Sequence, residues 1–411
     1  MKLILAHNFI SCCNDVINEE QEIGILIENG VISQVSPLKK MSVWLSDPSV
    51  EKIDAGHSYV MPGLIDAHVH LCFDSSVNPI TALDSESEAN TLLRMVKAAQ
   101  QELYSGVTTV RDCGAKGLSI LALRDAIQRG DIVGSDIIAC GPPITVTGGH
   151  CHFLGLEADG FLEVQKAVRT LCREDVDFIK VMVSGGNMTP GSNSLINHYN
   201  LDILEAITYE AHMRGKKVAG HIHTTPGIAN AIQAGFDTIE HCSYKNPTGQ
   251  PDVSYSQELA EQLKEKGIAV CPAMGKSYIL PPEEGAPLPD KVAMWRDFQN
   301  SRFETTRKMF ESGVSIIAGT DAGCKNSYFY EFGLTLEIMH EKVGLPVSDV
   351  LLSATGRAAK VLGISETAGT LEKGKYADLI FVPGNPAKDL SVFRNVIGVM
   401  KKGNLLFLNA V

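Results

Sequence analysis

Eight short apolar runs, each followed by a loop and a helical stretch, constrain this chain more than any other feature. They lie at 60–67, 107–110, 137–140, 178–183, 218–222, 238–240, 269–271 and 315–318, and their C-terminal ends are 18 to 47 residues apart. A short apolar run bounded by turn residues reads as a buried strand, and this spacing leaves room for one helix and two loops per step. Helices are expected at 88–104, 162–173, 201–214, 227–234, 257–266 and 301–312. Eight β-then-α units in about 250 residues predict an α/β fold of the closed (β/α)8, TIM-barrel type. A doubly wound open sheet is the alternative, but no Gly-x-Gly-x-x-Gly follows an early strand.

The two ends of the chain follow a different pattern. Short runs at 25–27, 31–33 and 53–55 surround an Asn29-Gly30 turn, and runs at 378–382, 396–400 and 405–408 surround Lys402-Gly403-Asn404. Asn-Gly between apolar runs is a strong hairpin signal. The ends are expected to meet in one small sheet domain, 1–57 with 366–411, beside a barrel of 58–365. One connection, 272–300, is long for a βα loop and carries Pro281, Pro282, Pro287 and Pro289. It reads either as a surface excursion or as a lid.

Composition narrows the functional classes. Lys and Arg number 36 against 48 Asp and Glu, a net charge of −12, which argues against nucleic acid or an anionic membrane as partner. Ten cysteines without a Cys-x-x-Cys pair fit neither a disulfide scaffold nor a finger-type zinc site. No run approaches the ~20 apolar residues of a membrane span, and the N-terminal run is too short for a signal peptide. A soluble cytoplasmic enzyme with reduced thiols is expected.

In a barrel of this kind the chemistry sits at the C-terminal ends of the strands. The first expected strand ends in Asp66-Ala67-His68-Val69-His70, the fifth in Gly220-His221-Ile222-His223, the sixth in Glu240-His241-Cys242, and the eighth in Gly319-Thr320-Asp321-Ala322-Gly323. Residues i and i+2 of a strand share a face, so His68 and His70 can address one point, and histidine is the commonest transition-metal ligand. Lys180 lies within the apolar fourth run, where burial should lower its amine pKa. It can pair with a carboxylate, form a Schiff base, or take up carbon dioxide as a metal-bridging carbamate. A Schiff-base enzyme has no need of four histidines. A nitrogen and oxygen ligand set suits zinc, with iron, manganese or cobalt as alternatives.

These segments resemble the amidohydrolase superfamily, within it the imidazolonepropionase and prolidase-like dipeptidase branch. The resemblance rests on Pro62-Gly-Leu-Ile-Asp-Ala-His-Val-His70, Gly106-Val-Thr-Thr-Val-Arg-Asp112, Thr147-Gly-Gly-His150, Ile179-Lys-Val-Met182 with Ser184-Gly-Gly186, Ile239-Glu-His241, Gly319-Thr-Asp-Ala-Gly323 and Gly369-Thr-Leu-Glu-Lys-Gly374 through Leu379. It spans nearly the whole chain. It implies a β-sandwich from both chain ends beside the barrel, two divalent metal ions (Zn2+ first), and a homo-oligomer. It further implies that His68, His70 and Asp321 bind one metal and His221 and His241 the other. Carboxylated Lys180 (N6-carboxylysine) would bridge them with a hydroxide, and Asp321 would shuttle the proton to the leaving amine. His150 would bind a substrate carboxylate or polarise the scissile carbonyl.

Departures from the branch pattern are Cys151 after His150, Ile222 between the fifth-strand histidines with Thr224 after them, and Cys242 after His241. They alter the expected pocket shape and leave the ligands intact. His223 and Tyr244 are further substrate-contact candidates. Arg111 and Asp112 are expected to pair with each other; His57, His198, His212 and His340 to lie on the surface; and Cys151, Cys242 and Cys324 to pack near the mouth. Glu283 and Glu284 are expected to be surface acids, the alternative being attraction of a basic substrate. The expected function is hydrolysis of dipeptides or N-acyl amino acids, with a small-molecule substrate and further copies of the chain as the partners. A cyclic amide, a carbamate or another non-peptide amide is the alternative, followed by a catalytically silent binding protein.

Overall fold

The computed structural model describes residues 1–249, 252–276 and 289–409; of the expected lid, 272–300, the part that holds Pro281, Pro282, Glu283, Glu284 and Pro287 lies outside them. Seventeen strands are present among the described residues. The first five are β1 (Lys2–Ser11), β2 (Asn18–Glu28), β3 (Val31–Pro37), β4 (Glu51–Asp54) and β5 (Tyr59–Pro62). Nine follow in the middle: β6 (Leu64–Val69), β7 (Val107–Asp112), β8 (Asp136–Ala139), β9 (Ile144–Thr145), β10 (Leu156–Glu157), β11 (Phe178–Met182), β12 (Lys217–Thr224), β13 (Thr238–Lys245) and β14 (Ala269–Cys271). The last three are β15 (Leu379–Val382), β16 (Gly398–Lys401) and β17 (Asn404–Leu408).

The chain ends form one sheet in the order β17-β16-β15-β5-β1-β2-β3, with β4 beside β1. The expected Asn-Gly turn joins β2 to β3. Asn29 and Gly30 both have positive φ (51° and 81°), as a two-residue hairpin turn requires. Lys402 and Gly403 do the same between β16 and β17 (45° and 73°). A buried cluster that includes Ile4, Phe9, Ile25, Leu379 and Phe381 holds the two ends together.

The expected first strand, 60–67, is split. Tyr59–Pro62 pairs with β15 and β1, so the terminal sheet runs past residue 57. The strand that pairs in parallel with β7 begins only at Leu64. The break falls at Gly63, where a Cβ would collide with the Thr108 side chain.

The middle strands form two parallel sheets, β6-β7-β8 and β10-β9-β11-β12-β13-β14. Main-chain bonds cross both seams. Asp177 N donates to Ala139 O (2.8 Å) between β8 and β11. Residues 315–322 lie between β14 and β6: Ile317 N donates to Val270 O (3.0 Å), Ala67 N to Ala318 O (3.0 Å) and His70 N to Ala322 O (2.8 Å). The eighth expected strand is therefore a set of isolated bridges rather than a ladder. Helices start where side chains cap them. Ser87, Asn200, Thr224 and Ser256 each accept from a main-chain N–H three residues on. The helix expected at 301–312 begins earlier, as Pro289–Glu311.

Candidate active site

The first histidine pair is aimed by its outer bonds. His68 Nδ1 lies 2.9 Å from Glu240 Oε2. Arg111 Nη2 donates to Glu240 Oε1 (2.7 Å), and Thr238 Oγ1 donates to the same oxygen (2.9 Å). Burial opposes ionisation of Glu240, but Arg111 and His68 hold its carboxyl far below the usual range. An ionised carboxylate only accepts, so the His68 proton sits on Nδ1 and the Nε2 lone pair points inward. His70 is fixed the same way by the Gly114 carbonyl, 2.9 Å from its Nδ1. Both inward nitrogens face Asp321 Oδ1, at 3.4 and 3.6 Å.

Asp321 reaches this place at a backbone cost. Its φ is +60°, the left-handed region that an L side chain occupies at a strain of about 1–3 kcal/mol. Asp321 N donates to His68 O (2.8 Å). Asp66 secures the junction, accepting from His68 N (3.0 Å), Thr320 N (3.1 Å) and Thr320 Oγ1 (2.6 Å). Burial pushes the Asp66 carboxyl up to about 7. Burial also acts against the Asp321 charge, but His68 and His70 outweigh it and lower the pKa.

The second group is His221 and His223 on β12 with His241 on β13. Their ring centroids are 4.6 to 4.9 Å apart, and one nitrogen from each lies within 4.8 Å of the others. His223 Nδ1 is 3.0 Å from Ser243 Oγ. His221 Nε2 and His241 Nδ1 are buried with no hydrogen-bond partner among the described residues. His241, like Asp321, has positive φ (+66°). Burial and the neighbouring charges push all three imidazoles well below the ordinary histidine value, and burial with Lys180 takes His68 to about 4. Neutral imidazole is the ligating form. The two groups adjoin, with the His68 and His241 rings 5.3 Å apart.

Lys180, on β11, is 1 % exposed, and its charge acts on His68, His221, His241 and Asp321 alike. Its pKa is not lowered as burial alone requires. Desolvation pulls it down, but Cys113 and Glu240 pull it up, and the balance is upward.

A cavity of about 670 Å3 opens over both groups, and His150, His223 and Lys180 line it with the other candidates. The His150 ring is 4.5 Å from that of His221, and its Nδ1 is 3.0 Å from Thr189 Oγ1. Gly186 is the residue that fits beside it, since a Cβ there would strike the imidazole. Tyr244 is fully buried, and its hydroxyl has no partner among the described residues. Its ring lies 5.1 Å from that of Tyr255, tilted by 48°, and it does not line the cavity.

Some expectations need correction. Arg111 pairs with Glu240 and not with Asp112, which instead accepts from Leu71 N (2.8 Å) and Gly114 N (3.1 Å). Neighbours on a strand point to opposite faces, so the two could not pair. His198 is half-buried, with Nδ1 3.2 Å from Met182 O, and lies near enough to His150 to lower its pKa. Cys151 and Cys324 line the cavity, and Cys324 Sγ donates to Asp321 Oδ1 (3.3 Å). Sequence reasoning passed over Glu240, Asp66 and Thr189. An acid inside the apolar 238–240 run was the available signal for Glu240, because a buried carboxylate requires partners.

The amidohydrolase family profile matches residues 59–406. The chain is 28% identical to ochratoxinase of Aspergillus niger over 377 residues, 84% of this chain and 75% of that protein. It is 26% identical to imidazolonepropionase of Symbiobacterium thermophilum, over 82% of this chain and 77% of the relative. Among solved structures it is similar to a Xaa-Pro dipeptidase with bound methionine in the active site (29% identity, 99% of both chains, TM-score 0.84). It is also similar to a prolidase complexed with N-methylphosphonate-L-proline (25% identity, 99% and 100% covered, TM-score 0.84).

Proposed function

The chain belongs to the amidohydrolase family, and on that premise we propose that it is a binuclear metal-dependent hydrolase cleaving the amide bond of dipeptides or N-acyl amino acids. One observation carries the reading. Two sets of buried imidazoles adjoin around a buried lysine, and two of their nitrogens lack any hydrogen-bond partner among the described residues. Buried polar atoms in that state point to a missing ligand, and a histidine and carboxylate donor set fits a divalent cation such as Zn2+.

In this reading His68, His70 and Asp321 would hold one cation and His221 and His241 the other. Lys180, once its amine had taken up carbon dioxide and released a proton, would be a ligand to both. Two cations nearby would repel the ammonium form and so favour the neutral amine that carboxylation needs. When bound, the cations would make a water acidic enough to attack at neutral pH and polarise the scissile carbonyl. Asp321 accepts the water's proton and passes it to the leaving amine, which departs poorly unless protonated. His150, neutral because burial and the nearby histidines hold its pKa to about 3, orients the carbonyl or carboxylate of the substrate. His223 lines the same wall, and the buried Tyr244 hydroxyl is a further candidate contact.

We read the two parallel sheets, closed by residues 315–322, as a (β/α)8 barrel of residues 58–365. The terminal sheet is then a β-sandwich of 1–57 and 366–411, to which Tyr59–Pro62 adds a strand. The seam hydrogen bonds and the solved structures of family members support this. Among the described residues no helix is long and apolar enough to cross a membrane; a cytoplasmic homo-oligomer is part of the proposal. A non-peptide amide is the second reading, favoured by the apolar side of the cavity, where Ile80, Met188, Trp295 and Phe298 lie.

The test is a screen of dipeptides and N-acyl amino acids with the C-terminal residue varied and metal quantified in the same sample. Metal-dependent release of the free amino acid is expected. No cleavage of any of them by metal-replete protein contradicts the reading.

A further inference from the structure

A cavity of about 290 Å3 lies at the opposite end of the parallel strands from the histidine groups. The site residues come from strand ends, whereas this cavity is lined by strand starts: Phe178 of β11, Lys217 and Ala219 of β12, and Thr238 of β13. The segment 361–364, at the end of the helix Gly356–Leu362, forms another wall. The proposed reaction makes no use of this space.

Two cations face it. Arg111 is 3 % exposed and lines the cavity. Its Nε donates to Ala67 O (2.7 Å), its Nη1 to Thr238 Oγ1 (2.9 Å) and its Nη2 to Glu240 Oε1 (2.7 Å). A guanidinium carries five N–H groups, so two are left without a hydrogen bond among the described residues. Lys217 is half-buried. Its ammonium donates to the Val361 carbonyl and makes no ion pair among the described residues. The nearby acids are engaged elsewhere. Asp177, the one carboxylate among the described residues of the lining, accepts from Ala139 N (2.8 Å) and Arg124 Nη1 (3.1 Å). Asp237 accepts from Val218 N (2.8 Å) and faces His212 Nε2 (2.9 Å). Burial lowers the Lys217 pKa; Asp237 opposes this and Arg111 adds to it. Two like charges with no carboxylate between them are relieved by an anion. The remaining walls, Ile138, Phe178, Leu362 and Ile364, are apolar and offer nothing to replace the hydration shell of a bare phosphate or sulfate.

We propose that this cavity is a second ligand site, for a small monocarboxylate with an apolar body, its charge seated between Lys217 and Arg111, and that its occupant is linked to the active site. The link is Arg111 itself, since the same guanidinium holds Glu240 and through it His68. An anion beside Arg111 adds negative charge behind His68. The ligand and a cation on His68 therefore raise each other's affinity by the same factor. The link rests on the proposed metal site; the binding does not.

The experiment uses 4-bromobenzoate and its neutral counterpart 4-bromobenzamide. Calorimetry on the metal-free full chain compares wild type, Lys217→Met and Ile364→Trp, which fills the cavity. Wild type is expected to bind the acid in preference to the amide. Lys217→Met should lose about 10- to 100-fold in affinity, the range for a hydrogen bond to a charged group, and Ile364→Trp should abolish binding. In soaked crystals the bromine anomalous peak is expected beside Phe178 and Ile364. No binding by wild type, equal binding of acid and amide, or a peak confined to the histidine cavity overturns the proposal. So does an affinity unchanged in either variant. If Lys217→Met fails to fold, Ile364→Trp decides alone. Zinc titrations test the link: 4-bromobenzoate should raise zinc affinity about 5-fold or more in wild type and leave it unchanged in Lys217→Met. No rise, or an equal rise in both, overturns the link. If zinc does not bind at all, the hydrolase reading falls, while the metal-free measurements still decide the site.

Discussion

The two histidine groups share one cavity but are held by opposite means. His68 and His70 are each locked from behind, by Glu240 and by the Gly114 carbonyl, so their inward nitrogens are already aligned on Asp321. In the second group only His223 has such a partner, while His221 Nε2 and His241 Nδ1 have none among the described residues. An outer carboxylate or carbonyl fixes the tautomer and direction of a ligand before the cation arrives. On the proposed reading the first group is preorganised by the protein, and the second would gain its order on binding.

The largest effect should come where the groups meet the chemistry. Asp321→Asn is expected to retain metal but lose turnover by about 10²–10⁴-fold, the usual worth of a positioned acid–base group. Near-full activity by steady-state kinetics would remove Asp321 from the proton transfer. Lys180→Ala sharpens the contrast directly. It should lose the cation of the second group, keep that of the first, and regain some activity with a short carboxylic acid. Unchanged metal content would refute the bridge.

Glu240→Gln attacks the preorganised side. Metal affinity of the first group should drop by about 10–100-fold. The Arg111 charge left behind should destabilise the fold by about 3–5 kcal/mol. A metal titration in which both groups weaken equally would erase the distinction drawn between them.

Acid tests both groups together. In the metal-free protein the pKa values of His68, His150, His221, His223 and His241 all lie below the unfolded value of about 6.5. As pH falls, the unfolded chain takes up protons first. Their contribution to stability is full above about 6.5 and is lost as pH drops toward 4. Asp66 and Glu102, both raised by burial, act in the opposite sense, but the five histidines outnumber them. The melting temperature should therefore fall between pH 6.5 and 4.5; a rise would contradict the buried neutral imidazoles. The smallest effect is expected from Tyr244→Phe. Removing an unpartnered buried hydroxyl should leave stability unchanged or improve it by less than about 1 kcal/mol. An unchanged KM would exclude Tyr244 as a substrate contact.

Much of this was legible in the sequence because strand ends are marked twice, by apolar runs and by the polar residues that close them. His68, His70, His221, His223 and Asp321 all announce themselves that way, Lys180 stands out as a charge inside an apolar run, and the helices expected from 88, 201 and 257 start there. What the sequence could not show depends on partners far along the chain. Glu240 meets Arg111 across 129 residues, and neither has meaning alone. The split at Gly63 depends on the close approach of Thr108. The early start of the helix at Pro289 was hidden among prolines that read as loop. That same stretch supplies Trp295, Phe298 and Gln299, so this part of the cavity lining was missed with it.

The account stands on two cations sharing one lysine. Anomalous diffraction from zinc-loaded crystals tests it most directly. Two peaks about 3.5–4 Å apart are expected, one against His68, His70 and Asp321, the other against His221 and His241, with extra density joining Lys180 to both. A single peak, or an unmodified Lys180 touching neither metal, would contradict it.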